Sequence, residues 1–281
     1  MRFLIILFSL VLLFPQALLA QVDLGNVKSF AFAIGLSDEE LDAEISTLTK
    51  YDLVIVDGEG ASTDQITQLQ NSGTVVLGYI SVGTIEKGRF WYKKVKRFKL
   101  DLWQDWGEWY ANVNKRKFRR VILKRVVNNF LAKGFDGLFL DNVDMVSSHR
   151  RQKRGMKKLV KAISTKVKAN SGVLFAQNGD EIIDPYLPYL DGWNREDATS
   201  TYNFKKEKYQ LVSTADSTVA FEKIANLVSA GLFVTTTDYV ANGDSETTVL
   251  ARQASCSAGA IPFVSDILLT QIPATVFECS N

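Results

Sequence analysis

The chain has 281 residues, a formal net charge of +2, 46% hydrophobic and 23% charged residues, proportions ordinary for a globular chain. Its one histidine, His149, argues against a Ser-His-Asp triad and a His-rich zinc site. The small net charge conceals segregation, because positions 87 to 170 hold 24 Lys or Arg against six Asp or Glu, while the remainder holds nine against 25.

Residues 1–20 read as a signal peptide. Arg2 supplies a positive start, residues 3–14 an apolar run too short for a comfortable membrane span, and Ala17-Leu18-Leu19-Ala20 a cleavage site. Residues 21–281 then form one domain of a secreted or periplasmic protein. An oxidising compartment permits a disulfide between Cys256 and Cys279, tethering the tail to the last helix, with two buried free thiols as the alternative.

In chain order, residues 29–34 form a short apolar strand, and Ser37 with Glu40 makes a capping box that starts a helix. A second strand, 52–56, ends at Asp57, and a helix over 63–71 stops before Gly73. The third strand, 74–80, ends in a turn carrying Glu86 and is followed by an aromatic, basic segment that includes Trp103, Trp106 and Trp109. A long helix over 115–133 leads to the central strand, 135–140, whose apolar run reads as buried on both faces. Another basic helix spans 149–169. Strands are predicted at 173–177, 190–193, 232–237 and 260–264, with helices at 217–229 and 246–257. Eight buried strands alternating with helices predict a single (β/α)8 barrel. The basic tracts at 93–99, 115–125 and 150–168 all fall in predicted helices. They read as solvated faces, with contact to anionic polymers or lipids as a further use; nucleic acid is not an expected partner of an exported chain.

The central strand ends in Asp141-Asn142-Val143-Asp144. Carboxylates at the end of a buried strand are costly unless hydrogen-bonded, ligated or facing a wet cleft, and the carboxyl ends of barrel strands are where chemistry sits. Capping of the next helix is the plainer reading of each Asp alone, and a divalent cation held by Asp141 and Asp144 is another. The other strand ends add Asp57, Glu86, Glu196, Asp197, Asp238 and Asp266. A barrel gathers these at one mouth, where crowding and burial raise some carboxyl pKa values, as a general acid requires. Tyr79, Trp103, Trp106, Trp109, Trp193 and Tyr239 offer stacking faces for sugar rings.

The segments 51–57 (YDLVIVD), 78–83 (GYISVG), 134–137 (GFDG) and 140–144 (LDNVD) together resemble glycoside hydrolase family 114, the barrel enzymes related to endo-α-1,4-polygalactosaminidase. The likeness runs from about residue 29 to residue 266. It implies a catalytic pair at Asp141 and Glu196, and matches Asp57, Tyr79, Asn178, Asp238 and Tyr239 to cleft positions and Arg89 to the arginine after the third strand. Glu86, Asp144 and Trp193 complete the expected substrate-binding set. The resemblance implies no cofactor and an amino-sugar polysaccharide as partner. Two departures stand out. Thr84 occupies a position where the family commonly has Glu, a loss that Glu86 is placed to cover, and residues 197–200 are less apolar and aromatic than usual. The leading reading is hydrolysis of α-1,4-linked galactosamine or N-acetylgalactosamine polymer. A non-catalytic carbohydrate-binding barrel and a polyanion-binding adhesion protein are the alternatives, and the first is distinguished by whether Asp141 and Glu196 face each other across one cleft.

Overall fold

The structure, a computed structural model, describes residues 22–280; the expected signal peptide lies outside the described residues. Strands β1 (Phe30–Ala33), β2 (Leu53–Asp57), β3 (Val75–Ser81), β4 (Gly137–Asp141), β5 (Val173–Gln177), β6 (Gly192–Glu196), β7 (Phe233–Tyr239) and β8 (Ile261–Ser265) form one parallel sheet, each beside the next in chain order. β8 returns beside β1, where the Phe263 and Phe30 rings lie 5.5 Å apart, so the sheet is a nearly closed barrel. Helices α1 (Asp38–Leu48), α2 (Thr63–Asn71), α3 (Arg116–Val121, continued by a π-helical turn at Ile122–Val127 and by Asn128–Lys133), α4 (Lys153–Lys168), α5 (Thr214–Ser229) and α6 (Ser245–Ser257) surround it. Ser37 and Ser62 cap α1 and α2 through reciprocal capping boxes with Glu40 and Gln65.

The expected barrel is therefore present, with local differences. β6 runs two residues later than its apolar pattern indicates, because Asn194 points inward and is fully buried. The hydroxyls of Thr235 and Thr237 on β7 donate to its Oδ1 at 2.8 and 3.2 Å, so a residue that reads as loop is satisfied inside the barrel. Between β5 and β6 there is only a short turn at Leu187–Tyr189, since Pro185 and Pro188 deny a helix its amide donors. The aromatic, basic segment after β3 is not simply helical. Beyond short turns at Tyr92–Val95 and Lys96–Phe98, it forms an antiparallel sheet of Thr84–Ile85, Lys99–Trp103 and Glu108–Ala111. A second hairpin, Ser200–Asn203 with Lys208–Leu211, follows β6. The two insertions meet where Trp106 lies edge-on to Phe204 at 5.3 Å.

Period-2 alternation decides what reaches the barrel interior. Phe32, Tyr79 and Phe139 pack together below the mouth, with Phe139 4.9 Å from Phe32 and 6.4 Å from Tyr79. Two residues beyond Phe139 in the same direction comes Asp141. On β5 the inward residues are Phe175, whose ring fills the space over Gly192, and then Gln177. On β6 they are Gly192, Asn194 and Glu196. The α4 face toward the barrel is apolar (Met156, Leu159, Val160, Ile163, Val167), and its lysines and arginines lie outside.

After β8 the described residues form no helix. The segment from Asp266 to Cys279 instead runs as a strap across the β1–β8 seam, burying Leu269 and half-burying Ile267, Ile272 and Val276 against the core. Tyr51 donates to the Pro273 carbonyl at 2.7 Å, and Cys279 is bonded to Cys256 on α6 with Cα atoms 5.5 Å apart. The expected disulfide is present and pins the far end of the strap. Closing 23 residues of chain stabilises by roughly 3 kcal/mol in the chain-entropy model. Replacing both cysteines with serine is expected to lower the unfolding free energy by about that amount in denaturant titration. An unchanged midpoint would mean that the strap is held by its apolar contacts alone.

Candidate active site

Asp141 and Glu196 end β4 and β6 and project into one cleft of about 430 Å³. Each carboxylate is held from several elements. Asp141 Oδ2 accepts from the Tyr79 hydroxyl at 2.5 Å and from Asn142 Nδ2 at 2.9 Å, and Oδ1 accepts from the Asn142 backbone N–H at 2.6 Å. Glu196 Oε2 accepts from Asn178 Nδ2 at 2.9 Å, and Oε1 accepts from the Tyr239 hydroxyl. One group touches both acids: Gln177 Nε2 lies 2.5 Å from Glu196 Oε2 and 3.3 Å from Asp141 Oδ1. The sum of those distances, 5.8 Å, is the most by which these two oxygens can be separated.

The backbone turns sharply at each of these strand ends. Asn142, Asn178 and Asp197, the residues directly after β4, β5 and β6, all have left-handed φ (58°, 57° and 56°). Asn and Asp accept this conformation better than other residues with a side chain. At Asn142 it turns both the N–H and the side-chain amide back onto Asp141. Gly83 is required beside it, because a Cβ there would stand 1.9 Å from the Asn142 carbonyl.

Burial raises both acids. Asp141 is pushed up to about 6, chiefly by desolvation, against the lowering effect of the Tyr79 hydroxyl. Glu196 is pushed up to about 8 by desolvation and then by the charges of Asp141 and Asp197. The pair is thus split in the order that lets Asp141 ionise while Glu196 keeps its proton.

Of the other expected site residues, Asp57, Tyr79, Glu86, Arg89, Asp144, Asn178 and Tyr239 all line this cleft. Arg89 bridges two of them, donating to Asp57 Oδ2 and Glu86 Oε2, each at 2.5 Å. Asp144 is raised to about 6 by burial. Two expectations are corrected, both by strand parity. Trp193 points away from the barrel axis and is fully buried, so it stacks on no ligand. Its Nε1 donates to the Asn178 carbonyl at 2.9 Å and so positions a residue that holds Glu196. Asp238 also faces outward, and its Oδ1 accepts from the Thr199 and Ser200 N–H groups at 2.6 and 2.8 Å, anchoring the hairpin after β6. Asp266, another strand-end acid, accepts from Thr270 and Gln271 at the start of the strap. Among the aromatic residues, Trp103 and Trp106 line the cleft, whereas Trp109 lies under the Lys99 ammonium.

Sequence reasoning passed over Gln177 and Glu108. Gln177 ends its strand as Asp141 and Glu196 end theirs, so its position was the available signal. Glu108 arrives from the inserted hairpin, whose register the sequence does not reveal. As for a metal, both Asp141 oxygens already accept from donors, and among the described residues no group of three or more His, Cys, Asp or Glu is arranged to hold an ion.

Known proteins share this architecture. The glycoside hydrolase domain of PelA from Pseudomonas aeruginosa superposes with a TM-score of 0.72 at 19% identity, covering 88% of this chain and 97% of that one. The Aspergillus fumigatus Ega3 complex with galactosamine superposes with a TM-score of 0.67 at 19% identity, over 90% and 95% of the two chains. An uncharacterized protein of Methanocaldococcus jannaschii, MJ1477, is 23% identical over 273 residues, 86% of this chain and 77% of that protein. At these identities the structural likenesses establish the barrel, and a sequence profile carries the family. Residues 16–278 match glycoside-hydrolase family GH114, and the chain belongs to that family.

Proposed function

We propose that the protein hydrolyses an α-1,4-linked polymer of galactosamine and N-acetylgalactosamine, with Asp141 as nucleophile and Glu196 as general acid and then base. The observation that carries this reading is the shared contact of Gln177 with both acids. Retaining glycosidases hold their carboxyl groups ~5–5.5 Å apart and inverting ones ~6.5–9.5 Å apart, to admit a water. The 5.8 Å ceiling between Asp141 Oδ1 and Glu196 Oε2 favours retention. Glu196 donates its proton to the glycosidic oxygen as that bond breaks, and Asp141 Oδ forms a bond to the anomeric carbon. A water then gives a proton to Glu196 and displaces Asp141, returning the enzyme to its starting state.

The substrate class follows from charge. The cleft is lined by Asp57, Glu86, Glu108, Asp141, Asp144 and Glu196 against one cation, Arg89, a balance that attracts a cationic polymer. Galactosamine bound to the structurally similar Ega3 supports the same class. Trp103 and Trp106 present aromatic faces for sugar rings. The acids face each other across one cleft, which favours hydrolysis over carbohydrate binding alone. Export, expected from residues 1–20, agrees with the Cys256–Cys279 disulfide.

Asp141→Asn and Glu196→Gln are each expected to lower turnover of galactosamine oligomers by at least ~100-fold while leaving binding intact, read by mass spectrometry and calorimetry. Near-normal turnover in either variant would remove that residue from the mechanism. Stereochemistry is checked separately: NMR of the first product should show retained α configuration.

The pH profile of kcat/KM should be bell-shaped. Its acid limb lies near pH 6, where Asp141 loses its charge, and its alkaline limb near pH 8, where Glu196 loses its proton. Because the fold raises the Glu196 pKa, protonated Glu196 favours the folded state, and this contribution is present below about pH 4.5 and lost as pH rises to about 8. Glu196→Gln should therefore raise Tm relative to the wild type at pH 8.5 more than at pH 4.5. An equal shift at both would show that folding does not raise the Glu196 pKa.

Contact of the basic helices with anionic surfaces is separable from hydrolysis. Lys115, Arg116, Lys117 and Arg120 are solvent-facing at the start of α3. Arg119 differs, because it donates to the Val113 carbonyl at 2.6 Å. Neutralising the first four together should leave turnover of a short soluble oligomer within about twofold, as is usual for surface changes, and a larger loss with folding intact would place α3 in the substrate path.

A further inference from the structure

Thr84 opens the inserted sheet at the edge of the cleft, and Glu86 is the nearest acid to it in sequence. The structure gives Glu86 another task, since its carboxylate accepts from Arg89 Nε at 2.5 Å and its side chain is 39% exposed. The acid beside Thr84 is Glu108. It lies on the inserted sheet in the strand Glu108–Ala111, where Tyr110 pairs with Thr84 and Glu108 with Trp103. The Thr84 hydroxyl donates to Glu108 Oε2 at 2.5 Å.

This contact ends a directed chain that begins at the nucleophile. Asn142 Nδ2 donates one hydrogen to Asp141 Oδ2 at 2.9 Å and the other to Ser81 Oγ at 3.0 Å. Thr84 gives its one hydroxyl proton to Glu108, so the hydrogen between Ser81 Oγ and Thr84 Oγ1, 2.5 Å apart, comes from Ser81. The direction of donation makes Glu108 the acceptor at the end of the chain, the role of an ionised carboxylate. Among the described residues its second oxygen, Oε1, accepts no hydrogen bond, and no cation pairs with it. Glu108 nevertheless lines the cleft with Trp103 and Trp106. Trp103 is itself braced by stacking on Tyr110 at 5.7 Å and 12°. One insertion therefore delivers an aromatic wall and an unpaired carboxylate to the same side of Asp141.

We infer that Glu108 is a specificity-determining residue, a carboxylate that pairs with the free ammonium of an amino sugar in a subsite adjoining Asp141 and walled by Trp103 and Trp106. A protonated amine on the sugar supplies the charge and the donors that Oε1 lacks. An N-acetyl group is neutral and bulkier, and would leave a half-buried carboxylate without a counter-charge. The inserted hairpin thus brings to the cleft an acid that none of the eight barrel strands supplies. The inference rests on the amino-sugar reading above and extends it to discrimination by acetylation state.

The test is calorimetric binding of two defined tetramers, one of galactosamine and one of N-acetylgalactosamine, to wild-type protein, Glu108→Gln and Glu108→Asp, with hydrolysis of both followed in parallel. The proposal expects Glu108→Gln to bind the galactosamine tetramer at least ~10-fold more weakly, the usual scale for a lost charge-assisted contact. Affinity for the acetylated tetramer should change by less than about twofold, as for a substitution that removes no contact. Glu108→Asp should recover part of the difference. An equal loss on both tetramers, or no loss on either, would overturn the proposal. Wild-type hydrolysis with unchanged discrimination in Glu108→Gln would overturn it while sparing the hydrolase reading. Wild-type protein that neither binds nor cleaves either tetramer would overturn both.

Discussion

The side-chain amide of Gln177 is the contact on which the candidate site depends. A neutral donor with two hydrogens can touch two carboxyl groups at once without adding charge. A lysine or arginine in its place would pull both acids down and leave neither protonated near neutrality. An apolar residue would leave two buried acids to repel each other with nothing between them. An amide fixes their separation and leaves their pKa values to burial and neighbouring charge, which set them apart at about 6 and about 8. Separation and protonation are therefore set by different physical causes.

The barrel supports this arrangement through strand register. Gln177 pairs with Asn194 across β5 and β6, Ser81 pairs with Asp141 across β3 and β4, and Thr237 pairs with Glu196 across β6 and β7. Residues two apart on each strand face inward, so Phe139, Phe175 and Asn194 fill the layer below, and the chemistry sits one step higher. The left-handed residues that follow are costly backbone for any residue with a side chain. At Asn142 and Asn178 that cost is borne where it has an effect, since each turns a side-chain amide onto a cleft acid. The outward-facing neighbours brace from behind, with Trp193 holding the Asn178 carbonyl and Asp238 holding two amides of the adjoining hairpin.

This division explains what could be read from the sequence. Apolar runs ending in acids located seven strands to within a residue or two, and the eighth, β6, was displaced because Asn194 is buried by partners contributed from β7, a long-range fact. Asp141 and Glu196 were legible as strand-end acids within a recognisable family pattern. Whether a residue at a strand end faces the cleft or the helices depends on parity, and a one-residue error in a boundary reverses it. Trp193 and Asp238 were misread for that reason. Glu108 was invisible for another, because it reaches the site from an insertion whose strands pair locally and whose placement over the mouth is set by tertiary contacts such as Trp106 with Phe204.

The cleft contains more acid than it neutralises, and the way each carboxyl group is accommodated sorts their roles. Asp57 and Glu86 are paired with Arg89. Asp141 is held by neutral dipoles from Tyr79, Asn142 and Gln177. Glu196 is raised furthest, to about 8, by burial and then by the charges of Asp141 and Asp197. Glu108 has a single hydroxyl donor, and Asp144, raised by burial, faces the nearby Glu181 and Asp180 charges as well as Arg195. Burying charge with so little compensation destabilises the empty fold. The strap, its disulfide and the closely packed aromatic layer beneath the site act in the opposite sense. A cationic sugar entering such a cleft gains more than attraction, because it supplies the counter-charge that the protein leaves out. That gain is available only to a ligand placing its positive group beside Glu108 or Asp144, so the same electrostatic deficit that weakens the empty site can select what fills it.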